Sequence, residues 1–273
     1  MNTDTGQTNM KIQAFRSIVT PWRSGLIAVS GGVDSGVLLA LCVECPGFRC
    51  HAVTILSPAH PAGEGNIARN LAERWNVPHH VLELNPLDIP EIRRNDADRC
   101  YYCKRWMYGR MREVAEREGL ARVLDGSHAG DDPLDRPGFR ALVERGIRMP
   151  LREAGITKPE IRQIARALDL PIWNRPASAC LFTRIPRGEP LEIQRLTRVA
   201  EAERLLVRRG YRQVRVRDHG DWARIEVERD EISRLAEEPE RSKIVSGLRA
   251  CGYRYVALDL AGYGGSAGER QPE

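Results

Sequence analysis

Apolar positions in the first half of the chain alternate between two spacings. Residues 26–29, 49–56 and 77–84 have the continuous or alternating apolar pattern of β-strands, whereas residues 36–41 and 61–75 have the spacing of helices. Strands that alternate with helices are typical of β-α-β units, in which the strands form a parallel sheet. The pattern therefore predicts an α/β domain that binds its ligands at the carboxyl ends of the strands.

The next stretch mixes polar segments with one long helical pattern. Residues 85–99 are polar and contain two prolines, so we predict a loop there. Residues 100–119 are predicted as a helix and residues 122–124 as a short strand. This strand ends in the acidic, turn-rich segment 125–132, and residues 133–138 continue as a loop. A second polar segment is thus also predicted at the carboxyl end of a strand.

A capping box begins the following helix. Thr157 is followed three residues later by Glu160, and such a pair satisfies the first backbone N–H groups of a helix. The apolar stripe of this helix comprises Ile161, Ile164, Ala165 and Leu168.

Residues 171–190 are rich in proline, and we place a domain boundary within them. Beyond it, residues 191–209 are amphipathic, residues 214–217 and 223–227 alternate as the strands of a hairpin, and residues 253–258 form a further strand. We therefore predict a small α+β domain after the boundary.

Charged residues interrupt the apolar pattern of this second domain. Glu203 falls on the apolar stripe of the 191–209 helix and needs a partner, because an isolated buried carboxylate is costly. We place the hairpin turn at residues 218–221. One face of the hairpin carries four charged side chains: Arg215, Arg217, Arg224 and Glu226.

The expected organisation has two domains and two disordered ends. We predict disorder over residues 1–15, a first domain over residues 16–180, a second domain for substrate binding or oligomerisation over residues 187–262, and a disordered tail over residues 263–273.

Composition and charge narrow the function only slightly. The chain has 273 residues and a net charge of +5, which permits anionic ligands without demanding nucleic acid. No apolar run is long enough to span a membrane, and the polar start lacks a signal-peptide core, so we expect a cytoplasmic location. Seven cysteines in such a chain argue against a disulfide framework. Four of them lie among apolar residues and are expected in the core: Cys42, Cys45, Cys50 and Cys251.

The segment Ser30-Gly31-Gly32-Val33-Asp34-Ser35, between the first strand and the first helix, is suited to bind phosphate. A helix N-terminus exposes unpaired N–H groups, the two glycines allow close approach of the backbone, and Ser30 and Ser35 add hydroxyl donors. Asp34 is a candidate Mg2+ ligand, because a hard cation prefers carboxylate oxygen. No Gly-Lys-Ser/Thr follows, so this is not a Walker A loop.

This segment resembles the pyrophosphate loop, or PP-loop, of the ATP pyrophosphatase superfamily, whose motif is Ser-Gly-Gly-x-Asp-Ser. The resemblance implies an adenine nucleotide alpha hydrolase-like fold, a parallel sheet with helices on both faces. It also implies cleavage of ATP between the α and β phosphates, which leaves AMP on a substrate oxygen. The ATP-binding residues would then be Ser30, Gly31, Gly32, Asp34 and Ser35, with Mg2+ on Asp34. A glycine turn without a ligand is the alternative.

Cys180 is the candidate nucleophile. Arg175 and Arg184 are close to it in sequence, and positive charge favours the reactive thiolate by lowering the pKa of the thiol. A buried structural cysteine is the alternative that the residue type alone leaves open.

The segment Pro176-Ala177-Ser178-Ala179-Cys180-Leu181, followed by Arg184-Ile185-Pro186, resembles the signature of the ATP-dependent sacrificial sulfur transferases, the LarE family. The similarity extends along most of the chain. It includes residues 30–35, 124–126, 154–158, 214–217 and 258–263.

The resemblance implies sulfur insertion during synthesis of the nickel-pincer nucleotide cofactor. ATP would adenylate a carboxylate of pyridinium-3,5-biscarboxylic acid mononucleotide, and the thiolate of Cys180 would attack the acyl adenylate. Cleavage of the Cβ–S bond would release a thiocarboxylate and leave dehydroalanine at position 180. A second round would convert the other carboxylate.

The same resemblance assigns roles to charged residues of the second domain. It implies that Arg184, Arg215 and Arg217 bind phosphate, as guanidinium forks do well, and that Glu203 is an acidic site residue. A solvated sheet face is the alternative for the arginines. The family also implies a homo-oligomer.

Cys100 and Cys103 suggest another use of Cys180. Two thiolates at this spacing can hold one metal or one corner of a cluster. Some family members have this pair and are similar to tRNA thiolation enzymes with a [4Fe–4S] cluster. That similarity implies Cys100, Cys103 and Cys180 as iron ligands and a cluster-bound sulfide as the sulfur donor. A zinc site or an unliganded pair is the alternative.

A further polar cluster follows the strand at residues 122–124. It could bind metal, position the substrate or form a plain acidic turn. Its members are Asp125, His128, Asp131 and Asp132.

Three other functions stay open on the sequence alone. A tRNA thiolation enzyme would use the same PP-loop, but we see no RNA-binding appendage. A non-sulfur adenylating amide synthetase would need an ammonia source, for which the chain has no glutaminase-sized extension. A nucleotide sensor with a retired PP-loop fits poorly with an intact Asp34 and Cys180. We therefore expect a small mononucleotide dicarboxylate as partner, and neither nucleic acid nor membrane.

Overall fold

The computed structural model describes residues 3–61, 63–131, 137–176 and 179–264, and within them the chain divides into two units. The first unit takes its described residues from Met1–Ser57, Ala62–Pro86 and Ala97–Ala177, and the second from Pro58–Pro61, Leu87–Asp96 and Ser178–Glu273. The sequence analysis assigned residues 58–61 and 87–96 to the first domain, and the structure groups them with the second unit.

A four-stranded parallel sheet forms the centre of the first unit. Its strands are β1 (Ser24–Ala28), β2 (Arg49–Leu56), β3 (His79–Glu83) and β4 (Val123–Leu124). Their order is β3-β2-β1-β4, and every pair is parallel. The chain leaves β1 toward β2 on one side and returns to β4 on the other, so the carboxyl end of β1 is the point where ligands of such sheets bind.

Helices cover both faces of this sheet, which confirms the predicted α/β fold. One face packs against a core that includes Val37, Leu41 and Ile161. The opposite face packs against a core that includes Val53 and Met111. The helices are α1 (Thr3–Val19), α2 (Val33–Val43), α3 (Glu64–Arg74), α5 (Arg99–Arg117), α6 (Pro137–Glu144), α7 (Pro150–Glu153) and α8 (Lys158–Ala167), with α4 (Pro90–Arg93) in the second unit.

Helix α1 corrects the expected disorder for residues 3–15, and residues 1 and 2 lie outside the described residues. Phe15 and Val19 are fully buried against the core that α2 and α8 share. Lys11 Nζ lies 2.7 Å from Glu160 Oε1 of α8, and this ion pair anchors the polar side of α1. The apolar positions recur at helical spacing only from Ile12 onward, so the polar start of the segment concealed the helix.

Two predicted loops contain helical turns. Residues 85–99 hold the 3-10 turn Pro86–Asp88 and the short helix α4, each of which begins at a proline, where the missing N–H costs nothing. Helix α6 begins at Pro137, inside the predicted loop 133–138; residues 132–136 lie outside the described part of the chain. The capping box of Thr157 and Glu160 is present as predicted.

The second unit is built on a three-stranded mixed sheet. Its strands are β5 (Val214–His219), β6 (Trp222–Val227) and β7 (Tyr255–Leu258). Strands β5 and β6 are antiparallel, and β6 and β7 are parallel. The helices α9 (Ile193–Arg208), α10 (Ile232–Ala236) and α11 (Glu240–Ala250) complete the unit. Val216, Ile225 and Leu248 are fully buried in its core.

The hairpin turn is shorter than the predicted segment 218–221. His219 pairs with Trp222, so the strands extend up to a two-residue turn. Asp218 is fully buried within β5, because its carboxylate pairs with Arg195 and Arg198.

None of the helices in the described ranges combines the length and apolar character needed to cross a bilayer. The cytoplasmic location stays a prediction. Of the predicted tail, Tyr263 is held by a hydrogen bond from its N–H to the carbonyl oxygen of Val227 at 2.7 Å, and residues 265–273 lie outside the described residues.

Candidate functional site

The PP-loop, residues 30–35, connects the carboxyl end of β1 to the first turn of α2. The Ser30 N–H donates to Ser35 Oγ at 3.2 Å, and Ser35 Oγ donates to the Gly32 carbonyl at 3.1 Å. Gly31 has φ +81°, and a Cβ there would lie 2.9 Å from the carbonyl oxygen of Glu64, so glycine is required. The loop thus presents a helix N-terminus with a backbone that can approach an anion closely.

A lysine from α8 pairs with the acid of the PP-loop. Lys158 Nζ lies 2.5 and 2.6 Å from the two carboxylate oxygens of Asp34, and both side chains are about one-third exposed. Lys158 is the first residue of α8, and the capping box fixes the start of that helix. A Mg2+ ion on Asp34 would have to share or displace this ammonium group.

Arg175 contacts the PP-loop on the side away from Lys158. Its Nη1 donates to the Gly31 carbonyl at 2.8 Å, and its Nη2 lies 3.8 Å from Glu64 Oε1. The sequence analysis placed this arginine beside Cys180; its described contacts are with the loop. Two cations, Lys158 and Arg175, therefore add to the positive end of the α2 dipole.

Asp125 is an anchor for the turn that follows β4. The Tyr108 hydroxyl donates to its Oδ2, and the N–H and hydroxyl of Ser127 donate to its Oδ1. Burial alone would raise the pKa of Asp125, but Lys104 and these hydrogen bonds outweigh it and hold the pKa below its usual value. Burial raises the pKa of Tyr108, and the Asp125 charge raises it further. These contacts favour the turn interpretation of Asp125 over a metal ligand.

His128 and Asp131 close the same turn. The His128 N–H donates to Asp131 Oδ2 at 2.9 Å, and the Gly130 N–H donates to His128 Nδ1 at 3.1 Å. The guanidinium group of Arg152 donates to the Asp131 carbonyl. These bonds are those of a structured acidic turn; Asp132 lies outside the described residues.

We expect Gly126→Ala to weaken ATP binding by about tenfold or more, because sub-ångström displacements of a binding loop are costly. A Cβ on Gly126 would lie 3.1 Å from the Ser35 backbone nitrogen and 3.2 Å from its Cα, which forces the PP-loop helix outward. Affinity for a fluorescent ATP analogue measures the effect. The matched control is Gly109→Ala in α5, where a Cβ meets nothing closer than 3.7 Å. Equal losses in both variants would contradict the expectation.

A cleft opens at the carboxyl ends of β2 and β3. Gly63 and Gly65 form one wall and flank Glu64, whose carbonyl lies next to Gly31 of the PP-loop. The lining residues are Thr54, Leu56, Gly63, Gly65, Asn66, Arg69 and Val81. Glu64, between the two glycines of this wall, therefore connects the cleft to the PP-loop.

Cys180 precedes a 3-10 turn, Leu181–Arg184, in the second unit. Its carbonyl oxygen accepts from the Thr183 N–H at 3.0 Å and from the Thr183 hydroxyl at 2.8 Å. The next N–H, of Leu181, donates to the Ala59 carbonyl at 2.8 Å. The backbone around Cys180 is thus fixed while the residue itself is half-buried, which leaves part of it accessible. Residues 177 and 178 lie outside the described part of the chain.

The carboxylate of Glu203 is paired with Arg184. Arg184 Nε lies 2.5 Å from Glu203 Oε1, and its Nη2 lies 3.3 Å from Oε2, a bidentate fork. The Val216 N–H also donates to Glu203 Oε1 at 3.0 Å. This buried pair connects the turn after Cys180 to α9 and β5. Its contacts therefore support a role in positioning that turn as well as a role in binding.

Glu226 is fully buried and faces three arginines of the hairpin. Arg217 Nε lies 2.7 Å from its carboxylate, Arg224 Nη2 lies 3.6 Å away and Arg215 Nη1 lies 4.0 Å away. The pairing of Arg215 with Glu226 and of Arg217 with Arg224 across the strands puts all four on one face, as the alternation predicts.

The three residues of this arginine cluster (Arg215, Arg217, Arg224) lie close to two carboxylates. All three guanidinium groups face Glu226, and Arg224 Nη1 also lies 3.7 Å from Asp259 Oδ2. The Nε of Arg215 is buried and has no acceptor among the described residues. An anion, such as a phosphate group, would satisfy this donor.

The arginine cluster is linked to the turn after Cys180. Arg217 Nη1 donates to the Thr183 carbonyl at 2.7 Å, and Thr183 in turn donates to the Cys180 carbonyl. The thiol-bearing residue and the candidate anion site therefore belong to one hydrogen-bonded segment.

Cys100 and Cys103 lie in the first turn of α5, three residues apart, so their side chains share one face of the helix. Cys100 is exposed, and Cys103 is half-buried with its Sγ 3.3 Å from Met107 Sδ. A helix face with two thiols at this spacing can offer two ligands to one metal or cluster.

The sequence analysis missed the positions of two cations. Lys158 is separated from Asp34 by 124 residues, and Arg175 from Gly31 by 144. The capping box that starts α8 was visible in the sequence, but it does not say which strand end the helix approaches. Both contacts depend on the order of the strands in the sheet.

Known proteins resemble the chain over most of its length. Residues 26–129 match the asparagine synthase family model. A Synechocystis sp. protein described as uncharacterized is 37% identical over 93% of this chain and 94% of that protein. The pyridinium-3,5-bisthiocarboxylic acid mononucleotide synthase of Lactiplantibacillus plantarum is 35% identical over 87% of this chain and 86% of that protein. The tRNA-specific 2-thiouridylase of Bradyrhizobium sp. (strain ORS 278) is 28% identical over 62% of this chain and 51% of that enzyme.

The parallel sheet, the Ser-Gly-Gly-x-Asp-Ser loop at the end of β1 and the asparagine synthase match define a PP-loop protein. Within that class, the similarity to the synthase covers 87% of the chain and so extends into the second unit. The chain belongs to the LarE family of sulfur transferases, as the sequence analysis expected.

Proposed function

We propose that this protein is an ATP-dependent sulfur transferase in nickel-pincer nucleotide synthesis. It converts the carboxylates of pyridinium-3,5-biscarboxylic acid mononucleotide to thiocarboxylates. The observation that carries this proposal is the 35% identity with the Lactiplantibacillus plantarum synthase across 86% of that protein. The geometry of the PP-loop and of the Cys180 segment supports it.

The PP-loop performs the activation step. A substrate carboxylate oxygen attacks the α-phosphorus of ATP, and the bond to pyrophosphate breaks, which yields an acyl adenylate. The α2 N-terminus, Lys158 and Arg175 stabilise the charge of the departing pyrophosphate. Asp34 fits a hard cation because it is a half-buried carboxylate at the phosphate-binding helix end, and Mg2+ held there would neutralise further phosphate charge. The cleft beside Gly63 and Gly65 takes the nucleoside.

Cys180 performs the transfer step. Its thiolate attacks the acyl carbon, the carbon–oxygen bond to AMP breaks, and a thioester forms. Removal of the Cα proton of Cys180 then sends an electron pair into a Cα–Cβ double bond, and the Cβ–S bond breaks. The products are the substrate thiocarboxylate and dehydroalanine at position 180.

The arginine cluster holds the phosphate of the mononucleotide. Arg215 supplies a donor that no described residue accepts, and Arg217 connects the phosphate to the turn after Cys180. Glu203 engages the Nε and Nη2 edge of Arg184, and Nη1 donates to Thr183 Oγ1 at 2.9 Å, so Arg184 positions that turn. Phosphate binding by Arg215 and Arg217 would thus orient the reacting carboxylate relative to the thiol.

A cluster-bound sulfide is a second candidate source of sulfur. The two thiols on one face of α5 favour it. Cys100, Cys103 and Cys180 would hold a [4Fe–4S] cluster, which would supply sulfide at its open iron. Anaerobic purification with iron and acid-labile sulfide analysis separates the two sources. Iron in the wild type that is lost in Cys100→Ser favours the cluster; no iron after reconstitution leaves Cys180 as the donor.

The proposal is tested by incubating the full-length protein with ATP, Mg2+ and the dicarboxylate mononucleotide. We expect pyrophosphate, AMP and a thiocarboxylate product detected by mass spectrometry. The variant Arg215→Met should weaken substrate binding and raise KM, whereas the control Arg212→Met, on the loop before β5, should not. No thiocarboxylate, together with adenylation of bulk tRNA, would favour the tRNA thiolation alternative instead.

A homo-oligomeric state and a cytoplasmic location are further proposals that rest on family membership alone. Light scattering of the purified protein tests the first, and cell fractionation tests the second.

A further inference from the structure

Three metal-ligating side chains meet at the edge of the first sheet that lies opposite the PP-loop. His51 is near the amino end of β2 and His80 near the amino end of β3, whereas the PP-loop follows the carboxyl end of β1. Because all strands are parallel, the amino ends of β2 and β3 lie at the far edge of the sheet. No step of the proposed reaction uses these residues.

The strand register explains why the two histidines meet. Val53 pairs with His80, and His51 lies two residues before Val53, so both imidazoles point to the same face. That face is covered by α5, since Val53 packs with Met111 of that helix. His79, by contrast, points to the opposite face, where its Nε2 lies 2.8 Å from Thr54 Oγ1.

The distances suit a single metal ion. His51 Nδ1 lies 3.1 Å from His80 Nε2, and the rings are stacked with centroids 5.4 Å apart. Two nitrogens bound to Zn2+ at ~2.05 Å and this far apart subtend an angle of about 100°, close to tetrahedral. A carboxylate oxygen of Glu118 completes the group, in which all three donor atoms lie within 4.8 Å of one another.

Neighbouring groups hold Glu118 in place. It is the C-cap of α5, and Arg49 Nη2 donates to its carbonyl at 3.3 Å and to the Gly119 carbonyl at 2.8 Å. Arg117 Nε donates to Glu118 Oε1 at 3.1 Å. Two arginines beside the group reduce its attraction for a dication, so we expect micromolar and not picomolar affinity.

We propose that His51 Nδ1, His80 Nε2 and the Glu118 carboxylate form a site for a divalent transition metal, with Zn2+ as the ion that this donor set favours. Two imidazoles and one carboxylate are a common ligand set for Zn2+, and three protein ligands leave a fourth position for water. The ion joins the end of α5 to β2 and β3.

The test is Zn2+ titration into the full-length reduced protein by calorimetry. His51→Ala and His80→Ala should each bind one Zn2+ fewer per chain than the wild type. The matched control is His79→Ala, which removes a histidine from the other face. Because all variants keep the seven cysteines, zinc bound by thiols is the same in each. Identical stoichiometry and affinity in His51→Ala, His80→Ala and His79→Ala would overturn the proposal.

A second variant and a spectroscopic measurement test the site even if the alanine variants misfold. Glu118→Gln leaves both imidazoles and the α5 C-cap in place, and we expect it to weaken the same binding event about tenfold, the loss of one charged ligand. X-ray absorption at the zinc edge of the wild type should show two imidazole ligands and no sulfur for this ion. Sulfur ligation alone, or unchanged affinity in Glu118→Gln, would refute the site.

Discussion

Cys180→Ala should abolish thiocarboxylate formation, with a loss of at least about 10³-fold, while pyrophosphate is still released in the first turnover. The proposed nucleophile is removed, but the residues proposed to activate the carboxylate lie in the PP-loop of the first unit and are unchanged. The acyl adenylate then has no thiolate to attack it and is lost to water. Mass spectrometry of the product and a coupled pyrophosphate assay measure the two steps separately.

The matched control for this variant is Cys251→Ala. Cys251 is a half-buried cysteine of the same unit at the end of α11, and burial raises the pKa of its thiol. We expect full activity from it. After wild-type turnover, the peptide that contains position 180 should have lost the elements of hydrogen sulfide. Retention of activity in Cys180→Ala would show that another thiol or a sulfide is the donor, and equal losses in both variants would point to folding.

The fold of the first unit could be predicted because its apolar spacing changes at each element. The patterns of residues 26–29 and 49–56 predict strands, and these two segments correspond to β1 and β2. Helix α1 was missed because its first two turns carry no apolar stripe. The helical turns of residues 86–93 were missed because proline signals both loops and helix starts.

The candidate site could be predicted where a local pattern encodes it. The PP-loop is a contiguous motif, and the charged hairpin face follows from alternation in β5 and β6. The partner of Glu203 could be expected from its place on an apolar stripe, but its identity, Arg184, required the structure.

Contacts between distant segments could not be predicted. The pairing of Asp34 with Lys158 depends on where α8 packs, and the meeting of His51 with His80 depends on the register of two strands. The sequence shows which of these residues can carry charge or bind metal. It does not show that β2 and β3 are neighbours in that register.

The second large effect is expected from Asp34→Asn, which should lower ATP-dependent pyrophosphate release by about 10²- to 10³-fold. The amide keeps the size of the side chain but loses the charge that would hold Mg2+ and one of the two oxygen acceptors of Lys158. Binding of metal-free ATP should be preserved or strengthened, because Lys158 is released toward the phosphates. The control is Glu64→Gln, a change in an acid next to the PP-loop. The carboxylate of Glu64 contacts Arg175 and not Lys158. Weaker binding of metal-free ATP by Asp34→Asn would contradict this account.

Lys158→Met separates the two roles of the pair. Because the ammonium competes with Mg2+ for Asp34, its removal should lower the Mg2+ concentration needed for half-maximal rate. It should also lower the maximal rate about tenfold, since one cation that stabilises the departing pyrophosphate is lost. Thermal stability should change little, because a partly exposed ion pair contributes at most about 1 kcal/mol. An unchanged Mg2+ requirement would mean that Lys158 and the metal do not share Asp34, and would move the metal to other ligands of the loop.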